Sequence, residues 1–148
     1  VVDAEIAGRI PGSSTRYAFS DEQEYYADLG ASRFAITTRR AGWDCLRHYE
    51  IAANGCVPCF RNLDGKPGTC APHGLVAGEN CLSYTGGDDL FRQTGEMTEA
   101  AYRKMAAGAL QWARSKSTRV VAGELVAEWR RSCGTENVAG EGGGRCRR

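Results

Sequence analysis

The chain has 148 residues, of which 42% are hydrophobic and 25% are charged, values that fit a soluble globular domain. Lys and Arg number 19 against 18 Asp and Glu, and this balance excludes a general electrostatic attraction to nucleic acid or to a membrane surface. No apolar run is long enough to span a bilayer, and no signal-peptide pattern opens the chain. An anion-binding site would therefore have to come from a local cluster of basic residues.

The cysteine content bears on the redox compartment. There are seven cysteines, an odd number, and no visible signal, which predicts reduced thiols rather than a disulfide framework. Unpaired thiols favour a cytoplasmic location. Because the chain begins at Val1 without a Met, a targeting segment could lie upstream.

The first predicted helix begins at a capping box. Ser20 is the expected N-cap, and Gln23, three residues later, completes the motif. The helix is expected to run through about Leu29 and to end at Gly30. Residues 33–37 then predict a short buried strand.

A second predicted helix lies between two strands. Residues 39–43 form a glycine-containing turn, after which Asp44 is the expected N-cap of a helix that ends at the Asn54-Gly55 pair. Residues 56–60 predict the next strand, with Pro58 at its edge or its end. The order strand, turn, helix, strand predicts a compact βαβ unit with parallel strands.

The remaining chain is predicted to be mostly helical. Residues 61–80 indicate a loop with one helical turn, residues 81–84 a last short strand, and residues 86–89 a turn into a helix. From Thr98 onward, apolar residues recur at spacings of three and four, interrupted at 115–118. We therefore predict an α/β domain over residues 1–132 that closes with a helical pair, followed by a disordered Gly/Arg-rich tail over residues 133–148.

One candidate site is a metal centre. Cys56, Cys59, Cys70 and His73 follow the pattern C-x2-C…C-x2-H, which has zinc-ligand composition. Two strand residues three positions apart point to opposite faces, so the first two thiols could reach one ion only if the chain turned at Pro58. A small zinc-binding interaction module and a set of inert buried cysteines are the two alternatives.

The other candidate site is an anion-binding turn. A strand followed by a glycine turn and a helix start directs backbone N–H groups and the positive helix end toward a ligand. Gly42 lies in this turn, and Arg39, Arg40 and Arg47 could add bidentate contacts to phosphate oxygens. A solvated basic turn is the alternative, and spacing alone does not decide between them.

Other polar and aromatic side chains of this segment admit two interpretations each. Glu50 could accept hydrogen bonds from ribose hydroxyls, or it could pair with Arg47 at the surface. His48 could act in acid–base chemistry, although a single helical histidine is more often structural. Trp43 could stack on a ligand ring or pack in the core. Trp112 and Trp129 are expected to pack in the interior.

Residues 50–58, EIAANGCVP, resemble the E-A-x-x-x-G-C-[IV]-P segment of exostosin-like glycosyltransferases, and more loosely the E-A-x-A-x-G-x-P segment of other GT-B enzymes. The resemblance extends from about Phe19 to Trp129. It implies the C-terminal half of a GT-B fold, in which a Rossmann-like parallel sheet with flanking helices binds a nucleotide sugar. The sugar of this nucleoside diphosphate donor would be transferred to a carbohydrate or other glycan acceptor.

The resemblance also implies roles for individual residues. Glu50 would hold ribose or sugar hydroxyls. The Gly42 turn and the helix start near Trp43 and Asp44 would face the diphosphate, whose charge an arginine would neutralise; the candidates are Arg39, Arg40 and Arg47. No cofactor is required, in keeping with the absence of an Asp-x-Asp motif.

The chain departs from the family pattern in two respects. A second glutamate, eight residues before the first in many relatives, is replaced by Gly42. In addition, 148 residues cannot contain both halves of a GT-B enzyme, so the resemblance assigns no catalytic base and no stereochemical outcome. A catalytically inactive glycosyltransferase-like domain is therefore a further alternative.

Overall fold

A computed structural model describes residues 2–134 of the chain. The chain divides into two compact units, Val1–Arg114 and Ser115–Arg148, and each is described here by itself. Most of the tail predicted over residues 133–148 lies outside the described residues, although the last helix extends to Gly134.

The helices and strands are α1 (Ala4–Ala7), α2 (Glu22–Ala31), β1 (Phe34–Thr37), α3 (Leu46–Ala53), β2 (Val57–Arg61), β3 (Leu82–Tyr84), α4 (Gly87–Glu96), α5 (Glu99–Ser115) and α6 (Thr118–Gly134). From α2 onward, the helices and strands follow the predicted order, whereas α1 was not predicted. The loop after β2 contains the expected helical turn, a 3-10 segment at Leu63–Gly65. Within the described part of the chain, no helix combines the length and the apolarity that crossing a membrane requires.

The three strands form a parallel sheet in the order β1-β2-β3. Phe34 lies opposite Val57, and Cys59 lies opposite Leu82. Because α3 connects β1 to its parallel neighbour β2, the predicted βαβ unit is confirmed. The fold is mixed α/β with a generic Rossmann-like topology, as the sequence predicts at this level.

Pro58 is the second residue of the central strand, so it lies neither at a sheet edge nor at the strand end, the two positions that the sequence predicted. The Val57 N–H donates to the Arg33 carbonyl on the β1 side, at 3.0 Å. Successive backbone groups point in opposite directions along a strand, so the Pro58 nitrogen faces the β3 side. Pairing with β3 begins only at Cys59, opposite Leu82, and the missing N–H therefore interrupts no ladder bond.

The caps of two helices differ from the predictions. Helix α2 begins one residue later, because the Asp21 carboxylate accepts from the Glu24 N–H at 2.8 Å, and Glu24 in turn accepts from the N–H and hydroxyl of Ser20. It continues past Gly30 to Ala31. Helix α3 has Cys45 as its N-cap, without a side-chain bond, so the predicted cap at Asp44 is wrong.

The core lies on both faces of the sheet. Val57 and Cys59 of β2 face a cluster with Ile6, Leu90 and Met105. The alternate residue Phe60 packs against Leu63 and Cys81, with Trp43 at the margin. This alternation follows the two-residue period of a strand.

The tryptophans of the last two helices differ in burial. Trp112 of α5 is buried, donates its indole N–H to the His73 carbonyl at 2.8 Å and stacks on Tyr49, as expected for interior packing. Trp129 of α6 is 65% exposed, so the prediction that it packs in the interior is wrong. Helical periodicity predicts an apolar face but does not specify what covers it.

Candidate functional site

His48 fixes the loop that follows β1. Its side chain is 1% exposed, with Nδ1 2.9 Å from the Thr37 hydroxyl and Nε2 3.0 Å from the Trp43 carbonyl oxygen. A carbonyl only accepts, so Nε2 carries the proton and Nδ1 accepts from Thr37. Burial lowers the pKa of His48, which favours this neutral form. His48 is therefore a satisfied structural residue rather than an exposed acid–base group.

A cavity of about 1170 Å³ lies beside β1. It is bounded by residues 10–22, by α2, by β1 and by α3. Of the predicted donor-binding residues, Arg40, Arg47 and Glu50 line this cavity. The structure thus brings together three residues that the sequence proposed for an anionic, hydroxyl-bearing ligand.

The other predicted donor-binding residues do not line the cavity. Arg39 places its guanidinium carbon 5.3 Å from the centre of the Trp43 ring, and Trp43 itself stacks on Phe60 at 6.0 Å. Gly42 is exposed. Asp44 is exposed and does not cap α3, whose N-cap is Cys45.

Glu50 is oriented by tyrosines of α2. The Tyr25 hydroxyl donates to Glu50 Oε2 at 3.2 Å, and the Tyr26 hydroxyl lies 3.4 Å from Oε1. Tyr26 is also 2.8 Å from Glu22, and since a phenol has one proton, this shorter contact takes it. Burial and then the Glu50 charge raise the pKa of Tyr25, so its hydroxyl stays a donor. The alternative Arg47–Glu50 ion pair is not formed.

Arg47 lines the cavity and carries a buried donor without a partner. Its Nη1 atom is buried and has no hydrogen-bond partner. Leaving a buried donor unpaired costs about 1–3 kcal/mol, and more for a charged group. A guanidinium in this situation favours an anionic acceptor, because a charged oxygen would supply the missing bond.

The start of α3 adds to the positive character of this region. Cys45 makes no capping bond from its side chain, and both Cys45 and Leu46 line the cavity. The first N–H groups of the helix are therefore not satisfied by a side-chain cap. The positive end of the helix dipole lies at the same cavity as Arg40 and Arg47.

The zinc alternative finds no support in the geometry. The Cys56 thiol lies 2.7 Å from the Leu29 carbonyl, and its surroundings are α2 and α3, whereas Cys59 faces the main core. Burial raises the pKa of Cys56 to about 11, which disfavours the thiolate that zinc requires. Across residues 2–134, no group of three or more His, Cys, Asp and Glu side chains is placed to hold a metal ion.

Sequence reasoning missed a row of aromatic rings along the cavity. Tyr17 and Phe19 meet edge to face at 5.8 Å between centroids, and Phe19 lies 5.5 Å from Tyr25. These three rings, here called the aromatic row, all line the cavity. The signal was the dense spacing of aromatic residues between positions 17 and 26, but their meeting depends on the path of the chain before α2.

Known proteins provide no template for this site. Comparisons of the chain with protein-family models, with curated proteins and with solved structures found no match. The functional assignment below therefore depends on the residues of the site, their geometry and the motif resemblance.

Proposed function

We propose that this chain is the donor-binding half of a GT-B glycosyltransferase. Its ligand is a nucleoside diphosphate sugar, and the acceptor is a carbohydrate or other glycan. Arg47 and Arg40 bind the diphosphate, and Glu50 holds ribose or sugar hydroxyls. The resemblance of residues 50–58 to glycosyltransferase segments supports the reaction class.

The observation that carries the proposal is the placement of Arg47 and Glu50 at one cavity. Arg47 Nη1 is a buried donor without an acceptor, and the Glu50 carboxylate can accept bonds beyond the one from Tyr25. A nucleoside diphosphate offers the complement of both groups. Its phosphate oxygens are anionic acceptors, and its vicinal ribose hydroxyls are donors.

The order of these groups along α3 matches the order of groups in a nucleotide. Arg47 and Glu50 are three residues apart, so they share a helix face with an axial offset of roughly 4.5 Å. Arg47 is nearer the positive helix start, where a diphosphate is favoured. Glu50 follows one turn later, at the distance where the ribose would begin.

In the proposed reaction, the bond between the anomeric carbon and the diphosphate oxygen breaks. The diphosphate leaves with the electron pair, and the acceptor oxygen bonds to the anomeric carbon and releases its proton to solvent. Negative charge develops on the leaving diphosphate, where Arg40 and Arg47 would stabilise it.

The proposal is tested by calorimetric titration of the chain with UDP, GDP and their common sugar conjugates. We expect saturable binding that is weakened about tenfold or more by Arg47→Gln and by Glu50→Ala, since each removes a charged hydrogen-bonding partner. Arg114→Gln is the matched control, because Arg114 is exposed and does not line the cavity.

Circular dichroism on the same samples checks that each variant is folded. The proposal fails if no nucleotide binds to the parent chain, or if folded Arg47 and Glu50 variants bind as tightly as the control.

A further inference from the structure

The aromatic row contains one ring, that of Tyr17, which contributes little to the core. Tyr17 is 77% exposed and lies in the segment between α1 and α2 that has no helix or strand. Its ring is nevertheless positioned, because it contacts Phe19, which contacts Tyr25. An exposed aromatic ring that its neighbours already hold in place loses less conformational freedom when a planar ligand ring stacks on it.

The aromatic row joins the candidate donor site through one residue. Tyr25 donates to Glu50 at 3.2 Å and packs against Phe19 at 5.5 Å between centroids. In a nucleotide, the base is attached directly to the ribose. If the ribose is held at Glu50, its base would therefore lie past Tyr25, beside Phe19 and Tyr17.

We infer that the aromatic row is the nucleobase subsite of this cavity, an inference that rests on the proposed function. Bases stack on aromatic side chains through their faces, and this stacking tolerates different bases. The sequence of groups along the cavity is then Arg47 for phosphate, Glu50 for ribose, and Phe19 with Tyr17 for the base. Tyr25 is a positioning residue, which orients Glu50 and supports Phe19.

The test compares ligands with and without a base. The probes are UDP, GDP, ribose 5-phosphate and inorganic pyrophosphate, titrated into the parent chain and into Tyr17→Ala and Phe19→Leu. Loss of stacking is expected to weaken UDP and GDP binding by roughly tenfold. Binding of pyrophosphate and ribose 5-phosphate is expected to stay unchanged, because neither carries a base.

The control is Phe91→Ala, an exposed aromatic residue of α4 outside the cavity, which should leave all four affinities unchanged. Phe19→Tyr should retain nucleotide binding, since it preserves the ring. Tyr17→Ala guards against misfolding as an explanation, because its highly exposed ring contributes little to the core.

The outcomes separate this inference from the proposed function. If the parent chain binds UDP or GDP but Tyr17→Ala and Phe19→Leu bind them equally well, the base subsite is overturned while the donor site stands. If the two substitutions weaken binding of ribose 5-phosphate or pyrophosphate as much as binding of UDP and GDP, the rings do not act on the base and the inference is also wrong. If the parent chain binds no nucleotide, the proposed function itself fails.

Discussion

At the residue scale, His48 controls the geometry of the loop before α3. Its two ring nitrogens bridge the Thr37 hydroxyl and the Trp43 carbonyl at 2.9 and 3.0 Å, so both ends of the loop depend on one buried side chain. The sequence suggests a structural histidine as the common case, and the structure agrees.

His48→Phe should destabilise the chain by about 2–4 kcal/mol, because it keeps an apolar ring but leaves the Thr37 hydroxyl and the Trp43 carbonyl without their partner. Urea denaturation followed by circular dichroism measures the change. Thr37→Val removes one of the two bonds and should cost less. If His48→Phe loses no more stability than Thr37→Val, the hydrogen bonds of His48 to Thr37 and Trp43 do not hold the loop.

The protonation of His48 predicts a pH dependence of stability. Burial lowers its folded-state pKa below the ordinary 6.5. At a pH just below 6.5, His48 is therefore protonated more readily in the unfolded chain than in the folded chain. The free energy of unfolding should fall as pH drops below about 6.5. Denaturation midpoints at pH 7.5 and pH 5.5 should differ in the parent chain and less so in His48→Phe. The same midpoint shift in both proteins would refute this assignment.

At the element scale, the start of α2 is set by Asp21 rather than by Ser20. Both residues are good caps, and both can reach Glu24, so the sequence alone does not choose between them. The structure places the Asp21 carboxylate on the Glu24 N–H, and Ser20 contributes from outside the helix. Helix boundaries are the feature that local patterns determine least well.

Asp21→Ala should cost about 1 kcal/mol, since it removes the capping bond at 2.8 Å. Ser20→Ala is the matched comparison and should cost less, because its N–H still donates to Glu24. Thermal unfolding of the two variants provides the measurement. A larger loss of thermal stability in Ser20→Ala than in Asp21→Ala would indicate that Ser20 is the N-cap.

The start of α3 shows a second element-scale effect. Asp44 has the composition of an N-cap, but the helix begins one residue later, and Cys45 takes the N-cap position without a side-chain bond. The side-chain cap expected from the sequence is therefore absent at the start of this helix. The uncapped helix start faces the cavity, where a ligand oxygen could take the place of the missing cap.

At the scale of the first unit, the N-terminal segment is tied to the ends of β2 and β3. Asp3 is 5% exposed, accepts from Arg61 at 2.7 Å and accepts from the Tyr84 hydroxyl at 2.9 Å. Glu5 also accepts from Arg61 and from the Gly87 N–H at the start of α4. Burial alone would raise the pKa of Asp3, but the bonds from Arg61 and Tyr84 outweigh it and lower the pKa.

Asp3→Asn should destabilise the chain by about 2 kcal/mol, because Arg61 loses a buried charged partner and retains only Glu5. Asp88→Asn is the control, since Asp88 forms an ion pair with Arg9 while 93% exposed and should cost little. The folded-state pKa of Asp3 lies below 3.8, so the difference between parent and Asp3→Asn should shrink as pH falls below about 4. Urea midpoints at pH 7 and pH 3 test the size of the Asp3→Asn effect and its pH dependence. A destabilisation by Asp3→Asn at pH 7 as small as that by Asp88→Asn would contradict the prediction.

The sequence by itself determined the α/β class, the βαβ unit and the end of α3 at Asn54 and Gly55. Each of these depends on signals within a few residues of one another, such as capping, periodicity and glycine position, because local backbone preferences act over that range.

Only the tertiary structure decided which basic and aromatic residues share the cavity. Tyr25 reaches Glu50 across 25 positions and Arg61 reaches Asp3 across 58, contacts that no local pattern encodes. The isolation of Arg47 Nη1 likewise depends on what surrounds it. Burial and pairing are properties of the packed chain, because side chains distant in sequence compete for the same partners and only the fold determines which of them meet.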